Sequence, residues 1–318
     1  MSQNSKFDIL NSIFDLCIIG GGPGGVAAGV YAARKKIKTV FITESFESQS
    51  FVSENIQNWI GSVSITGKEL ARNLEKHLRA YAENTVFIKE KEIAIDLKKD
   101  GEIFNIKTNK SEYKSKTVLI ASGSIRKKLK IKGAKEFDGK GISYCATCDG
   151  PLFSGANVAV IGGGNSAFES ALQLAAYAKN VIILQRSEFR ADAITVKKVL
   201  SDPKIKGVTN IDFIEIKGEK FVTAIVYKDK KTGKITELPV AGIFVEIGAN
   251  PRIDYLKNGI VKLNEINQII VDPKTQRTSL EGIWAAGDCT DGFYQQNNIA
   301  AGDAVKALEN IFHYLRVK

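Results

Sequence analysis

One pattern occurs twice in this chain, and it constrains the fold more than any other feature. The apolar run Phe14-Asp15-Leu16-Cys17-Ile18-Ile19 leads into Gly20-Gly21-Gly22-Pro23-Gly24-Gly25 and then into the Ala-rich stretch Val26 to Arg34. Much later, Val158-Ala159-Val160-Ile161 leads into Gly162-Gly163-Gly164-Asn165-Ser166-Ala167 and the helical run Phe168 to Ala178. A β-branched run follows each helix: Thr39-Val40-Phe41-Ile42 in the first copy and Val181-Ile182-Ile183-Leu184 in the second. Short apolar runs bounded by glycine read as buried strands, so both copies predict βαβ units that open parallel sheets. A lone glycine motif is a weak signal, but the strand–turn–helix context gives each copy its meaning.

Two such units predict an α/β protein with two dinucleotide-binding, Rossmann-like domains. A third strand, Thr117 to Ala121, ends in Ser122-Gly123, and the basic stretch Ile125 to Gly133 reads as a linker into the second domain. That domain closes with the apolar run Ala241 to Ile247 and the turn Gly248-Ala249-Asn250-Pro251. The remainder, including Gly282 to Asp288, has no βαβ start of its own, so it is expected to return and complete the first domain. The expected organisation is therefore a first domain in two parts, 1–126 and 250–318, with 127–249 inserted between them.

Within the first loop, Gly20 permits the tight turn, Gly22 lets the backbone approach a pyrophosphate, and Gly25 lets helix pack on strand. The anion then rests on the helix N-terminus, where free N–H groups and the dipole favour it. Glu44 stands at the end of the second strand, about twenty residues past the loop, where an acid suits a ribose 2′-OH and repels a 2′-phosphate. The first site is thus predicted to hold FAD or NAD(H) rather than NADP(H). The second loop, Gly162-x-Gly164-x-x-Ala167, is the Ala-ended variant of the same fingerprint. Its strand ends in Gln185 instead of an acid, followed by Arg186 and Arg190, whose guanidinium groups can grip a 2′-phosphate. NADPH is the expected occupant, with NADH possible.

Between the loops lies Tyr144-Cys145-Ala146-Thr147-Cys148-Asp149-Gly150. Two thiols separated by two residues can close a small disulfide ring at a helix start, where the dipole stabilises the attacking thiolate. Asp149 follows the second thiol and is placed to act as general acid or base for it. A zinc site needs four ligands, and neither His77 nor His313 stands at ligand spacing, so no metal is expected. Cys17 falls in a predicted core strand, and Cys289 is expected to be an inert buried thiol. Four scattered cysteines do not make a secreted disulfide framework, which favours a reducing, cytoplasmic setting. Met1 to Ser12 carries no apolar core followed by a cleavage site, and no run of about 18 apolar residues occurs, so neither a secretory signal nor a membrane span is expected. The net charge of +10 comes from dispersed lysines and arginines without interleaved aromatics. That disfavours nucleic-acid binding and leaves attraction of an acidic protein or a phosphorylated dinucleotide as the functional use of the charge.

These residues together resemble the low-molecular-weight thioredoxin reductase family over nearly the whole chain. The resemblance rests on the paired glycine loops, on Cys145-Ala146-Thr147-Cys148-Asp149 between them, on Phe189-Arg190-Ala191, and on Gly287-Asp288 with Tyr294 and Gln295. The stretches Cys148 to Phe153 and Gly242 to Gly248 also resemble the flavoprotein subunit of alkyl hydroperoxide reductase. That subunit carries an extra N-terminal thioredoxin-like module, which the short run before Phe14 leads us to expect is absent. The resemblance implies a homodimer that binds FAD in the first domain and NADPH in the inserted one, and passes electrons to thioredoxin or a similar small redoxin. It implies that Asp288 binds the ribityl chain, that Gln49 and Asn58 lie near the isoalloxazine, and that Cys148 faces the flavin while Cys145 exchanges with the protein substrate. It adds Pro23, Gly123, Gly287, Gln295 and Gln296 to the FAD site, and Asn165 and Ser166 to the NADPH loop. One pair cannot face flavin and protein partner at once, so the reading also requires the inserted domain to rotate.

Three positions depart from the family pattern. Its Gly-Gly before the flavin-contacting Gln is Glu47-Ser48, its His-Arg-Arg is Leu184-Gln185-Arg186, and its Ala-Thr-Gly is Ala121-Ser122-Gly123. Rival expectations are a reductase feeding a peroxiredoxin system, a ferredoxin-dependent flavin thioredoxin reductase, and a redox-sensing flavoprotein switch.

Overall fold

The computed structural model describes residues 12–53, 55–256 and 259–317. Residues 1–11, where no secretory signal is expected, lie outside them. The chain divides into two compact units. One comprises the chain up to Ser53, Trp59–Ile125 and the chain from Asn250; the other comprises Glu54–Asn58 and Arg126–Ala249.

The first unit is built on a seven-stranded sheet. Val86–Glu90, Thr39–Thr43, Ile13–Ile19 and Glu112–Ile120 lie side by side in parallel, with Ile283–Ala285 added on the far side of the last. Every residue of Thr39–Thr43 is buried, as expected of a parallel strand covered on both faces. Alternation along the strands divides the core. Cys17, Ile19, Val40, Ile42, Val118 and Ile120 pack with Phe104, Ile106 and Tyr113 on one face. Leu16, Ile18, Phe41, Leu119 and Trp284 point the other way, into the helices Pro23–Arg34, Gly67–Ala82 and Asn297–Val317. The returning segment registers Ile283 with Val118, Trp284 with Leu119 and Ala285 with Ile120, so the end of the chain completes the sheet that its beginning opens. Thr66 caps the second of these helices by accepting the Glu69 N–H at 3.1 Å, a device that contributes about 1 kcal/mol.

Two antiparallel additions go beyond the sequence expectations. Ala94–Asp100 and Ile103–Thr108 form a meander with the first half of Glu112–Ile120. In the second unit Ile211–Gly218, Val222–Asp229 and Ile235–Pro239 form a separate three-stranded sheet. That unit's main sheet is wholly parallel, in the order Ile205–Val208, Asn180–Leu184, Asn157–Ile161, Gly242–Val245, Ile142–Ser143. The adjacent strands Asn157–Ile161 and Asn180–Leu184 are bridged by the helix Asn165–Ala175, which gives the second βαβ unit. The protein is thus α/β, with two Rossmann-like parallel sheets.

Candidate functional site

The first glycine loop is shaped by collisions that a side chain would cause. A Cβ on Gly20, whose φ is +123°, would lie 2.1 Å from the Ala121 carbonyl oxygen, and one on Gly25 would lie 1.9 Å from the Gly20 oxygen. Both positions therefore demand glycine so that strand and helix can close on each other. Gly22 differs. Its backbone is extended, and a Cβ there would meet only Ser48 Cβ, at 3.7 Å. The helix that follows has Pro23 in its first turn and no side-chain cap. Its first intrahelical bond is from the Val26 N–H to the Gly22 oxygen at 3.0 Å, which leaves the Gly24 and Gly25 N–H groups ahead of it for an anion.

Other residues expected at this site sit at the carboxyl ends of the same sheet. Glu44 directly follows Thr39–Thr43, and its carboxylate pairs with the Arg252 guanidinium at 2.7 Å. Gln49 Nε2 donates to Asp288 Oδ2 at 3.0 Å and to Ser124 Oγ at 3.2 Å, the first bond joining two residues separated by most of the chain. Gly287, at φ +75°, lets the chain turn into Asp288, and Gly123 also has a positive φ. Gln295 and Gln296 immediately precede the helix Asn297–Val317, whose first residue accepts the Ser50 hydroxyl at 3.0 Å. Ser48, one of the two residues standing where the family has Gly-Gly, has φ −77° and ψ 176°, and Glu47 is not among the residues with positive φ. That backbone needs no glycine, so this departure leaves the loop conformation open to ordinary residues. Cys17 and Cys289 are fully buried and free; desolvation pushes the Cys289 thiol up to about 11 and the Cys17 thiol well above the usual range. Neither is a nucleophile.

The second loop repeats the design with one change. Gly162 has φ +150°, and a Cβ on it would lie 2.3 Å from the Glu246 carbonyl oxygen. Gly164 has open space around it and heads the helix Asn165–Ala175 without a side-chain cap. Ala167 is fully buried, and there its methyl fills the contact that glycine makes in the first loop. Ser166 is exposed beside it, whereas the Asn165 side chain is tied to Asp192 by reciprocal bonds of 3.0 Å. Gln185 is buried beneath Gly163, and its Oε1 accepts the Arg186 N–H at 3.1 Å. It therefore shapes the turn instead of reaching outward. Arg186 and Arg190 are exposed, and the Arg190 N–H is held by the Gly163 oxygen at 2.6 Å. The loop thus supplies an anion seat flanked by two outward guanidinium groups.

Cys145 and Cys148 are joined as a disulfide, with Cα atoms 5.3 Å apart. Cys145 heads a single helical turn, Ala146–Asp149, and its Sγ accepts the Cys148 N–H at 3.1 Å. Asn58 Nδ2 donates to Cys148 Sγ at 3.7 Å. Asn58 thus belongs beside the thiol pair in the second unit, while Gln49, expected near it, belongs to the first. Burial holds the Asp149 carboxyl above its usual range, partly offset by the Ser143 hydroxyl donating to Oδ2 at 2.6 Å. Ser143 Oγ also accepts the Cys145 N–H at 3.1 Å. Ser143 therefore links the first cysteine to the acid behind the second, a role no sequence motif announces. A carboxyl whose proton affinity burial has raised, next in sequence to a thiol pair, is suited to exchange a proton with a leaving thiolate.

These loops and this thiol pair match known proteins. Residues 14–304 fit the family model described as pyridine nucleotide-disulphide oxidoreductase. The chain is 39% identical over 305 residues to an alkyl hydroperoxide reductase subunit of Pseudomonas aeruginosa, and 38% identical over 304 residues to NADH dehydrogenase of Bacillus subtilis. In each case 95% of this chain aligns with only 58% of the relative's length, so the chain spans little more than half of those proteins. Among solved structures it superposes on thioredoxin reductase from Streptococcus pyogenes with a TM-score of 0.89 at 31% identity, covering 97% of this chain and all of that one. Such proteins use FAD and a nicotinamide nucleotide, and the two uncapped helix N-termini with their open glycines fit two pyrophosphates. Among the described residues no helix is long and apolar enough to cross a membrane. The chain belongs to the pyridine nucleotide-disulphide oxidoreductase family.

Proposed function

We propose that the protein is a thioredoxin-disulfide reductase, taking electrons from NADPH through FAD to the Cys145–Cys148 pair and on to a disulfide of thioredoxin or a similar small redoxin. The observation that carries this reading is the disulfide with a half-buried acid directly after it, lying in the sequence between two glycine loops that each end on an uncapped helix. When bound, the nicotinamide supplies hydride and the flavin relays two electrons to the thiol pair. Gly20, Gly22, Gly25, Glu44 and Asp288 are proposed to hold the flavin nucleotide, and Gly162, Gly164, Arg186 and Arg190 the nicotinamide nucleotide.

The protein's own residues account for the remaining steps. Reduction of the disulfide takes up two electrons and two protons and yields two thiols; Asp149 is placed to supply one of those protons, and the Asn58 amide to stabilise the Cys148 thiolate as it forms. Cys145 as thiolate then attacks the partner's disulfide and expels one partner thiolate. Cys148 attacks the resulting mixed disulfide, releases the second partner thiol and restores the Cys145–Cys148 bond. A net charge of +10 favours an acidic partner. The proposed setting is the reducing cytosol and the proposed assembly a homodimer. A second reading, in which the electrons serve a peroxide-reducing system, is favoured by the similarity to alkyl hydroperoxide reductase subunits from Pseudomonas. Multiple turnover of thioredoxin disulfide with NADPH tests the first reading. Reduction of the thiol pair followed by a single round without turnover would instead identify a switch.

A further inference from the structure

Glu246 is a carboxylate that the proposed electron path does not use. It directly follows Gly242–Val245, and its N–H continues the parallel pairing by donating to the Ile161 oxygen at 2.8 Å. Phe244 faces the helix side of the sheet, among Ala146, Ala167 and Phe168, while Val245 faces the opposite core. Alternation brings Glu246 to the Phe244 side, and Ser170 on the helix Asn165–Ala175 donates to its Oε1 at 2.7 Å. The side chain is only 8% exposed, and the nearest cation, Arg126, stands 3.9 Å from Oε2, beyond hydrogen-bond reach. Burial raises the Glu246 carboxyl above its usual range, as does the charge of Glu169, against the lowering effects of Ser170 and Arg126. A nine-tenths buried carboxyl group is thus anchored at one oxygen and retains acceptor capacity at the other.

Its place in the sheet says what it would accept from. The strand Asn157–Ile161, which leads into the second glycine loop, has Asn180–Leu184 on one side and Gly242–Val245 on the other. Strand order reverses there, and dinucleotides lie in the crevice at the carboxyl ends of strands around such a reversal. Arg186 and Arg190, the phosphate-recognising pair, follow Asn180–Leu184 on one side of the loop. A dinucleotide whose pyrophosphate rests on Gly164 and whose adenosine end meets those arginines must run its other end toward Gly242–Val245. That end carries the nicotinamide carboxamide, whose NH2 is a donor, and the Glu246 oxygen not engaged by Ser170 is an acceptor.

We infer that Glu246, held by Ser170, accepts the carboxamide NH2 of the nicotinamide ring and selects for carboxamide over carboxylate at that position. The inference rests on the proposed binding of a nicotinamide nucleotide at the second loop. It is tested by calorimetric binding to the FAD-loaded protein of NADP⁺ and of its nicotinic-acid counterpart, which carries a carboxylate in place of the amide. A hydrogen bond to a charged group corresponds to about tenfold to a hundredfold in affinity, so the wild type should bind the acid analogue at least about tenfold more weakly. Glu246→Gln keeps the shape and the acceptor for Ser170, removes the charge, and should bring the two affinities to within about threefold. Glu246→Asp keeps the charge and should keep the preference while weakening NADP⁺ binding. Equal preference in wild type and Glu246→Gln, with NADP⁺ still bound, overturns this assignment alone. Failure of the wild type to bind NADP⁺ or NAD⁺ at all overturns both it and the nucleotide reading on which it rests.

Discussion

Replacing two glycines of the first loop should produce opposite failures. An added Cβ at Gly25 meets a backbone oxygen at 1.9 Å, a collision that no side-chain rotation can relieve. Overpacking of this kind costs about 3 kcal/mol at its upper end, and the gain in helix propensity from Gly to Ala returns about 1 kcal/mol. The net loss of about 2 kcal/mol should lower the melting temperature of the FAD-stripped Gly25→Ala protein by roughly 4–8 °C. At Gly22 the backbone is extended, at φ −77° and ψ −175°, and the nearest atom to an added Cβ is 3.7 Å away. Gly22→Val should therefore melt within about 2 °C of wild type when stripped of FAD. Gly22 nonetheless heads the helix whose Gly24 and Gly25 N–H groups are proposed to hold the pyrophosphate, so a side chain there should obstruct the anion. Losing two charge-assisted hydrogen bonds forfeits about 3–6 kcal/mol, more than a hundredfold in affinity. Differential scanning fluorimetry of the apoproteins and flavin fluorescence titration measure the two effects separately. A Gly22→Val protein that binds FAD with wild-type affinity, or a Gly25→Ala apoprotein that melts like wild type, would refute this division of labour between the two glycines.

Cys145→Ser and Cys148→Ser should each abolish turnover of thioredoxin disulfide while retaining a normal yellow flavin spectrum; undiminished reduction by either would exclude the thiol relay. Replacing Arg186 and Arg190 together by Ala should raise the Michaelis constant for NADPH at least about tenfold and leave that for NADH nearly unchanged; steady-state kinetics with both donors decides it. Burial raises the folded-state pKa of Asp149, so ionising it costs stability that is absent below the unfolded value of about 3.9 and fully felt above the folded value. Asp149→Asn should accordingly melt higher than wild type at pH 7, with the difference fading as the pH falls toward 4, and a difference independent of pH would contradict the raised proton affinity of this half-buried acid.

Both parallel sheets can be read in the sequence because their strands are buried on both faces and their glycine loops announce the turn that follows. The return of the chain is legible for a complementary reason: Gly282 to Asp288 is an apolar strand with no helix-starting loop, and its only outlet is an existing sheet. The elements that sequence reasoning misses share a physical cause. Ala94–Asp100 and Ile211–Gly218 each bury only two residues and carry several charges, so they lack the continuous apolar signal of the parallel strands. Ser143, Glu246 and Arg252 acquire their partners through register and chain return; Arg252 meets Glu44 across 208 positions. Gln185, by its place in the sequence a neutral residue facing the phosphate, lies under Gly163 and serves the turn. Residue type sets its chemistry, and only packing tells which way it points.

The central claim is that the flavin and the Cys145–Cys148 pair form one electron path, and anaerobic titration of the FAD-loaded protein with NADPH tests it most directly. Flavin absorbance is followed during the titration and free thiols are counted after it. Wild type should take up two molar equivalents of NADPH per chain, one for the flavin and one for the disulfide, with two new thiols appearing, and added thioredoxin disulfide should then restore the oxidised spectrum. Cys148→Ser should be saturated by one equivalent. Full flavin reduction of the wild type by a single equivalent, with no new thiols, would contradict the claim.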